Sequence, residues 1–526
     1  MSLYILRGEL VPLKKYAFIL MEPLIFDKTE EEIRKIINKH NNVDAVKKEE
    51  YGEVFTPHDL IVEMLDKLPV NVWRNPENKW LDPGSGIGNF SMLVFYKLDG
   101  GLKSWEPNKE KRRNHIIKNM IYMIEIGTEN VKTCQKYFGK DANISNSDFI
   151  RDVLKWKKEL EQDRFDIIYG NPPYNENGIR GKGRSDVGSK VLWNNFVDSG
   201  LDLLTKNGLL LFLTPNSWIE LKSPLAKKMV SKEIILLKNF DVVNAYKLFK
   251  KEGGSIPICY YLIKNTPSIH ERGKEESKFR KPLIHDSTFD KFIEFDIKRH
   301  MMIPNKNINL IDKVLKKNET SLKEYFKFTP PKVKKDKEMY STKYKPPFIY
   351  PLINYVHKKI YISYSKEKTE VQNGRPKLIL PNYSMGYPIL DKRGELDVGG
   401  RTSYYLEVPD NNIKKLKKIQ SLFLTNFGLT IINSLKTGQK FLSTRTFDVF
   451  PDVSKWNIEI NDQTLETYYG LNAIEKESIK AQVDNGEGNI SNNQREEILN
   501  WSLSEEEKVK PYQKVKKKMT KKKKLK

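Results

Sequence analysis

The segment Asp166–Tyr174, which reads DIIYGNPPY, has residue types and spacing that could perform chemistry. An apolar run typical of a buried strand ends abruptly in Asn171, two prolines and Tyr174. The side chain of Asn171 and the carbonyl of Pro172 supply acceptor oxygens, and Pro172 and Pro173 restrict φ, which holds both acceptors in place. Tyr174 presents a ring face for stacking. Together these residues could bind a planar group that carries an exocyclic NH2.

A second segment, WLDPGSGIGNF, is typical of a turn between a strand and a ligand-binding helix. The apolar strand ends at Asp82, and Gly84, Gly86 and Gly88 follow before the helical pattern NFSMLVFYKL. Glycines permit a sharp turn and let a ligand approach the main-chain N–H groups at the start of the helix. A plain tight loop would use the same residues, so this segment alone leaves a cofactor role open.

Three other segments place polar groups at the ends of elements. IYMIEIG ends in Glu125, which could bind ribose hydroxyls at a strand tip or be an ordinary solvated acid. NSDFI supplies Asp148 and Phe149, a carboxylate beside a ring that could hold an adenine. VFTPHDL predicts Thr56 as the N-cap of a helix, which could face the carboxylate of a small ligand or serve only as a cap.

A parallel sheet with crossover helices would bring these segments to one edge. From Tyr51 to about Lys264, short apolar runs alternate with amphipathic stretches, the pattern of an α/β domain. The candidate strands are KWLDP, IYMIEI, FDIIYG, GLLLFLTP and ICYYLI. Carboxyl ends of parallel strands form the edge at which α/β proteins bind ligands. The basic stretch KSWEPNKEKRRNH between the first two strands is expected to loop out, and a charged helix is predicted over Thr29–Asn41.

The chain divides by composition into five segments. Residues 1–50 form an N-terminal extension, residues 51–265 the α/β domain and residues 266–328 a polar linker. Residues 329–475 are rich in Tyr, Ile, Pro and Gly and contain one long helical stretch, which predicts a second, mixed α+β domain. Residues 476–526 are polar and then rich in lysine, and are predicted to be a mobile tail.

Composition restricts the class of protein. The net charge is +24, and eleven lysines with no acid lie between Lys508 and Lys526, while the rest of the chain is basic as well. This excess suits a nucleic-acid partner, although AT-rich codon bias would produce it too. No run reaches the roughly 20 apolar residues of a membrane span. Cys134 and Cys259 are too few for a disulfide framework or a metal cluster, so we expect an intracellular protein without metal.

The order of these segments resembles that of the S-adenosylmethionine-dependent amino-methyltransferases, and more narrowly that of the N6-adenine DNA methyltransferases of the gamma arrangement. VFTP, DPGSGIG, MIEIG, SDFI and NPPY follow one another as the motifs of that family do. The resemblance is close over residues 51–265. Over residues 330–455 it is looser, and is to the recognition region of large type II modification enzymes. It implies a Rossmann-like, doubly wound catalytic domain followed by a mixed α+β target-recognition domain.

The resemblance also implies a role for each site residue. The cofactor would be S-adenosylmethionine, with four residues at its methionine end, one at the ribose and two at the adenine. In that order they are Thr56, Asp82, Gly84, Gly86, Glu125, Asp148 and Phe149. Asn171 and Pro172 would accept hydrogen bonds from the target amino group, with Pro173 stiffening the clamp. Tyr174 would stack on the target base, and Phe249 is the candidate for a second stacking ring.

The implied reaction is site-specific methyl transfer to N6 of an adenine flipped out of double-stranded DNA, with a cognate restriction endonuclease as a candidate partner. The same NPPY chemistry would serve an RNA adenine, a cytosine N4 or a protein glutamine, and these alternatives stay open. A fused nuclease is disfavoured because only about 50 residues precede the TP motif. A degenerate, purely DNA-binding subunit would be expected to lose Asn171, Tyr174 or the glycines, and all are present.

Overall fold

In a computed structural model, the chain forms two compact units, Met1–Lys298 and Arg299–Lys526. The residues that the structure describes are 3–6, 9–12, 24–40, 56–152, 164–175, 191–249, 256–268, 281–297, 302–329, 339–356, 360–381, 388–398, 403–436, 444–484 and 492–501. Most of the lysine-rich tail, residues 502–526, lies outside these ranges. Within them, every helix is too short or too polar to cross a bilayer.

The first unit is built on a nine-stranded sheet. After a hairpin of β1 (Leu3–Leu6) and β2 (Glu9–Pro12), its strands are β3 (Trp80–Asp82), β4 (Ile121–Glu125), β5 (Asn143–Asn146), β6 (Phe165–Gly170), β7 (Leu204–Pro215), β8 (Lys232–Phe240), β9 (Ile258–Pro267), β10 (Leu283–Asp286) and β11 (Lys291–Glu294). Their order across the sheet is β11-β10-β8-β9-β7-β6-β3-β4-β5. β3 pairs in parallel with β4 and β6, while β9 is antiparallel to both β7 and β8.

Helices connect the strands of the first unit. They are α1 (Glu30–His40), α2 (His58–Leu65), α3 (Asn89–Gly101), α4 (Lys109–His115), α5 (Thr128–Phe138), α6 (Trp193–Leu203), α7 (Pro224–Val230) and α8 (Val242–Leu248). Residues 208–215 of β7 are buried without interruption, which requires cover on both faces of the sheet. All five predicted strands are present as β3, β4, β6, β7 and β9. The predicted Rossmann-like, doubly wound α/β class is therefore confirmed.

The first unit extends beyond both of its predicted boundaries. α1 begins where a helix was predicted, and its Ile33 and Ile37 are fully buried in the core of the unit, so the N-terminal extension contributes to that core. Residues 266–328 are not simply a linker. β10 pairs in parallel with β8 and forms a hairpin with β11, so the sheet continues to Glu294. The charged residues that precede this hairpin made the whole segment look like a connection.

The second unit contains two four-stranded sheets and seven helices in the described residues. One sheet has the order β12-β19-β16-β17 and the other β13-β15-β14-β18. The strands are β12 (Phe326–Thr329), β13 (Tyr340–Ser341), β14 (Tyr350–Val356), β15 (Ile360–Ser365), β16 (Lys377–Pro381), β17 (Ile389–Asp391), β18 (Asp397–Val398) and β19 (Ser403–Leu406). This confirms the predicted mixed α+β class, while the recognition role stays a prediction.

The helices of the second unit differ in two ways from expectation. They are α9 (Ile308–Lys317), α10 (Ile413–Leu424), α11 (Asn426–Leu435), α12 (Thr446–Val449), α13 (Asp462–Tyr469), α14 (Ala473–Asp484) and α15 (Asn492–Asn500). The long helical stretch is divided at Thr425, whose hydroxyl accepts a hydrogen bond from Gly428 N at 2.9 Å and caps α11. α14 and α15 continue past residue 475, where the mobile tail was predicted to begin.

The basic stretch between β3 and β4 does not loop out. Part of it forms α4, whose two arginines both pair with Asp99 of α3. Asp99 accepts hydrogen bonds from Arg112 Nε at 2.8 Å and from Arg113 Nε at 2.9 Å, and Arg113 also donates to the Phe26 carbonyl. Asp99 and Arg112 are both buried. This cluster joins α3, α4 and the N-terminal segment into the first unit.

Replacing Asp99 with asparagine is expected to lower the local free energy of unfolding of α3 and α4 by about 3 kcal/mol, because it leaves a buried guanidinium without its charge partner. Hydrogen exchange of the α3 and α4 amides, followed by mass spectrometry, would measure the loss. Asp66→Asn is the matched control: Asp66 pairs with Lys97 at 2.6 Å on a more exposed surface, and its loss should cost less than about 1 kcal/mol. Equal protection in the two variants would contradict the assignment.

Candidate active site

The carboxyl end of β6 is the point at which two of the motifs meet. Gly170 has φ +138°, which L side chains rarely adopt, and a Cβ there would lie 2.9 Å from Asp82 Oδ1. Glycine is therefore required by both conformation and contact. Asn171 follows, and its Nδ2 donates a hydrogen bond to Thr56 Oγ1 at 3.1 Å. This bond connects the NPPY segment to the TP segment across 115 positions of sequence.

Thr56 does not cap α2, so the predicted N-cap is wrong. The helix begins at His58, its N-cap position is Pro57, and no side chain makes a capping hydrogen bond there. Thr56 is buried, and its hydroxyl accepts the hydrogen bond from Asn171. The reading in which Thr56 serves only as a helix cap is thereby excluded, because the contact of this hydroxyl is with Asn171.

The glycine loop lies against the NPPY segment. A Cβ at Gly84 would be 3.4 Å from Pro173 Cδ and 3.6 Å from the ring of Phe196, which are van der Waals contact distances. Gly86 has φ +54°, a conformation that favours glycine. Ser85 N donates to the Ile124 carbonyl at 3.1 Å, which fixes the loop to β4. The loop is thus held between the ends of β4 and β6.

Glu125 closes the other side of the glycine loop. Its Oε2 accepts a hydrogen bond from Gly86 N at 2.8 Å and its Oε1 accepts one from Gly127 N at 2.7 Å. The residue is 8% exposed, although it ends a strand. It is therefore not the ordinary solvated acid that the sequence left open. Glu125 organises the main chain on both sides of a strand tip.

Asp82 is an unusually placed carboxylic acid. Burial raises the pKa of Asp82 to about 8. The hydrogen bond from Gly84 N lowers this pKa and the charge of Glu125 raises it, and both effects are smaller than that of burial. The protonated form of Asp82 is therefore favoured at neutral pH. A cation bound beside it would favour its ionised form.

Asp148 and Phe149 lie at the next strand along the same edge. Asp148 Oδ1 accepts hydrogen bonds from Ile150 N at 3.0 Å and Arg151 N at 3.2 Å and so starts a helical turn. Phe149 is 2% exposed and stacks on Phe196, with ring centroids 5.2 Å apart. Since Phe196 also borders Gly84, it links this pair to the glycine loop. No motif marks Phe196 of α6, and the sequence did not single it out.

Tyr174 and Phe249, the candidate stacking rings, share one hydrophobic surface. Phe249 belongs to the core cluster of the first unit, and the partly exposed Tyr174 packs against that cluster. Burial, with a smaller contribution from Cys259, raises the pKa of the Tyr174 hydroxyl above its ordinary range. This hydroxyl makes no hydrogen bond within the described part of the chain. Stacking of either ring on a base stays a prediction.

The arrangement fits a cofactor with hydroxyl groups at one end and positive charge at the other. Glu125 offers carboxylate oxygens for hydroxyl donors, and Asp82 offers a buried acid for a cation. Gly84 N donates to Asp82 Oδ1 at 3.4 Å and Gly86 N donates to Glu125 Oε2 at 2.8 Å, so the glycine loop connects these two acids. S-adenosylmethionine carries ribose hydroxyls, an ammonium and a sulfonium, and these are the groups that the two carboxyl groups could bind.

Comparison with known proteins gives the same class. Residues 89–249 match the model of the Eco57I restriction-modification methylase family. The chain resembles a restriction-modification methylase. A Mycoplasma pneumoniae protein described as an uncharacterized adenine-specific methylase is 25% identical over 317 residues, which are 45% of this chain and 73% of that protein. The predicted resemblance to N6-adenine methyltransferases is thereby confirmed, and with it the cofactor that the resemblance implied, S-adenosylmethionine.

Solved structures with a similar fold are distant from this chain. One is a modification subunit of a putative type I restriction enzyme from Vibrio vulnificus, with 15% identity and a TM-score of 0.34. The match covers 49% of this chain and 53% of that protein. The ATP-dependent type ISP restriction-modification enzyme LlaBIII, solved bound to DNA, is 12% identical, covers 85% of this chain and 40% of its own, and has a TM-score of 0.49. The chain thus spans about half or less of the length of either.

The raised pKa of Asp82 predicts a pH dependence of stability. The folded state holds this proton more tightly than the unfolded state, so stability from this group is present at low pH and is lost as the pH rises from about 4 through about 8. Equilibrium urea unfolding should therefore show wild type losing stability relative to Asp82→Asn by up to about 1.4 kcal/mol per pH unit in this window, and no further above it. Parallel pH profiles of the two proteins would contradict the buried, neutral acid.

Proposed function

We propose that this chain transfers a methyl group from S-adenosylmethionine to the N6 amino group of an adenine flipped out of double-stranded DNA. The observation that carries the proposal is the hydrogen bond between Asn171 and Thr56, at a strand end where the NPPY segment contacts the glycine loop at Gly84. It is supported by the family match over residues 89–249. Cofactor and target groups would then meet at one edge of one sheet.

The contact with Thr56 bears directly on the chemistry of Asn171. Because Nδ2 donates to the Thr56 hydroxyl, the opposite end of the amide, Oδ1, is the acceptor that could face a substrate amine. The carbonyl of Pro172 would be the second acceptor. Two acceptors that grip both hydrogens of an adenine amine favour a pyramidal nitrogen and return electron density to its lone pair. Thr56 would act as a positioning residue that keeps the amide in this orientation.

The remaining work at the site would be positioning and electrostatics. When bound, S-adenosylmethionine supplies a methyl group already activated by its sulfonium, so no further nucleophile is required of the chain. Glu125 would hold the ribose, and Asp82 would face the positive methionine end. Asp148 and Phe149 would hold the cofactor adenine. The acceptors at Asn171 and Pro172 would orient the amine toward the methyl group and stabilise the positive charge that develops on nitrogen. The bond between sulfur and the methyl carbon would break as the bond to N6 forms, and one amine proton would then pass to solvent.

A duplex substrate requires that the adenine leave the base stack. Extrusion costs a few kcal/mol, and stacking on Tyr174 would return on the order of 1–3 kcal/mol. The second unit would select the sequence. Its α10 exposes Lys414 and Lys417, which could contact phosphates. A separate restriction endonuclease is the natural partner of such an enzyme, since the modification would protect host DNA from cleavage.

Mass spectrometry of digested nucleosides would test the reaction. Mixed-sequence duplex DNA is incubated with the full-length protein and S-adenosylmethionine, and RNA and a mixture of proteins are incubated in parallel. We expect N6-methyladenine in DNA and a loss of at least 100-fold with Asn171→Ala, because the amine loses its side-chain acceptor. Asn143→Ala is the matched control: it removes an amide that bonds to the Lys118 carbonyl at 2.8 Å, at the opposite edge of the sheet.

Each other outcome would point to a different conclusion. N4-methylcytosine in place of N6-methyladenine would mean that the target base is cytosine, while the roles proposed for the site residues would stand. Methylation of RNA alone, or of protein glutamine alone, would overturn the DNA substrate. Full activity of Asn171→Ala would overturn the role given to the clamp. Absence of any product from a folded protein that binds the cofactor would favour a subunit without catalytic activity.

A further inference from the structure

The short helix α8 lies at the same edge of the sheet as the candidate active site. β8 is antiparallel to β9, and β9 is antiparallel to β7, which is parallel to β6. β8 therefore runs in the direction of β6 and ends at the same edge. α8 begins two residues after β8, and the side chain of Asp241 caps it by accepting a hydrogen bond from Asn244 N at 2.7 Å.

The inner side of α8 is fixed to the surface that holds the candidate stacking rings. Ala245 is fully buried, and Phe249, directly after the helix, is 7% exposed. Both belong to the core cluster of the first unit, against which Tyr174 packs. The helix is therefore attached to the part of the fold on which Tyr174 rests. Three strand spacings, about 15 Å, separate β8 from β6, slightly more than the width of a DNA major groove.

The outer side of α8 exposes large apolar groups beside positive charge. Val243 and Tyr246 are each 45% exposed, and Asn244 and Lys247 between and beside them are exposed as well. In the sequence, Lys250, Lys251 and Glu252 follow soon after with a net charge of +1, while Asp241 is engaged as the helix cap. Double-stranded DNA has apolar, stacked bases inside and anionic phosphates outside. An aromatic ring and a branched aliphatic group could contact the bases, and the lysines beside them could contact the phosphates.

We propose that α8 is a wedge that enters the DNA duplex beside the flipped adenine, with Tyr246 stacking on the bases that the adenine leaves and Val243 filling the space next to them. This inference rests on the proposed function and adds a positioning element to it. Lys247 contacts a flanking phosphate. The wedge stabilises the open duplex, so it assists extrusion of the base and takes no part in the transfer itself.

The test separates extrusion from transfer. The methylated site is first mapped by sequencing DNA modified by the wild-type protein, and two duplexes are made, with the target adenine opposite thymine or opposite an abasic position. Tyr246→Ala should slow methylation of the paired adenine about tenfold or more, since stacking is lost. It should leave the rate for the abasic duplex within about twofold, because an adenine without a partner needs less help to leave the stack.

Two controls and an optical readout make the test specific. Tyr246→Phe keeps the ring and should behave as wild type, and Tyr96→Ala removes another partly exposed tyrosine, on α3. With 2-aminopurine at the target position, binding of wild type should raise the fluorescence as the base unstacks, and Tyr246→Ala should reduce this rise. Thermal unfolding verifies that every variant is folded.

The outcomes distinguish this inference from the function on which it rests. Wild-type methylation with equal effects of Tyr246→Ala on both duplexes overturns the wedge and leaves the proposed function standing. Alternatively, Tyr246→Ala changes the oligomeric state and leaves the ratio of the methylation rates of the two duplexes unchanged. That result would assign Tyr246 to an interface between copies of the chain and would also overturn the wedge. If wild type methylates neither duplex nor mixed-sequence DNA, the proposed function fails and the wedge fails with it.

Discussion

The close approach of β6 to β3 at Gly170 and Asp82 is the constraint on which the site depends. With only 2.9 Å between Asp82 Oδ1 and the position of a Cβ at Gly170, the Asp82 carboxyl group can lie against the end of β6 only because residue 170 has no side chain. β3 then delivers the glycine loop and β6 delivers Asn171 to the same place. Thr56 secures Asn171 from one side, and Glu125 secures the loop from the other.

This arrangement buries two acids at strand ends: Glu125 holds the main chain through two hydrogen bonds, whereas burial is unfavourable for the Asp82 carboxylate. Burial raises the pKa of Asp82 to about 8, which means that its ionised form is disfavoured in the folded chain. Such a group lowers stability at neutral pH, and a structure that served only as a scaffold would not require it. A cationic ligand beside Asp82 would offset this cost. The burial of Asp82 therefore agrees with a site for a positively charged cofactor.

The sequence was sufficient for the elements with local signals. Apolar runs located five strands of the first sheet, and the order of VFTP, DPGSGIG, MIEIG, SDFI and NPPY predicted which segments lie together at one edge of it. What it could not locate depends on partners far along the chain. Thr56 looked like a helix cap because its partner Asn171 is 115 positions away. β10 was hidden among charged residues, since its pairing with β8 is what makes it a strand. Phe196 carries no motif, and only its contacts distinguish it.

The central claim is that one edge of the sheet carries a cofactor-binding part and a separate target-binding part. Calorimetric titration with S-adenosylhomocysteine, the product that remains after methyl transfer, would test it. We predict that Glu125→Ala weakens binding about 10-fold to 100-fold, because the charge-assisted hydrogen bonds from the ribose hydroxyls to Glu125 would be lost. Asn171→Ala should bind within about twofold of wild type, because in the proposed function the Asn171 amide would face the target amine. Equal losses in the two variants, or wild-type affinity in Glu125→Ala, would contradict this division of the site.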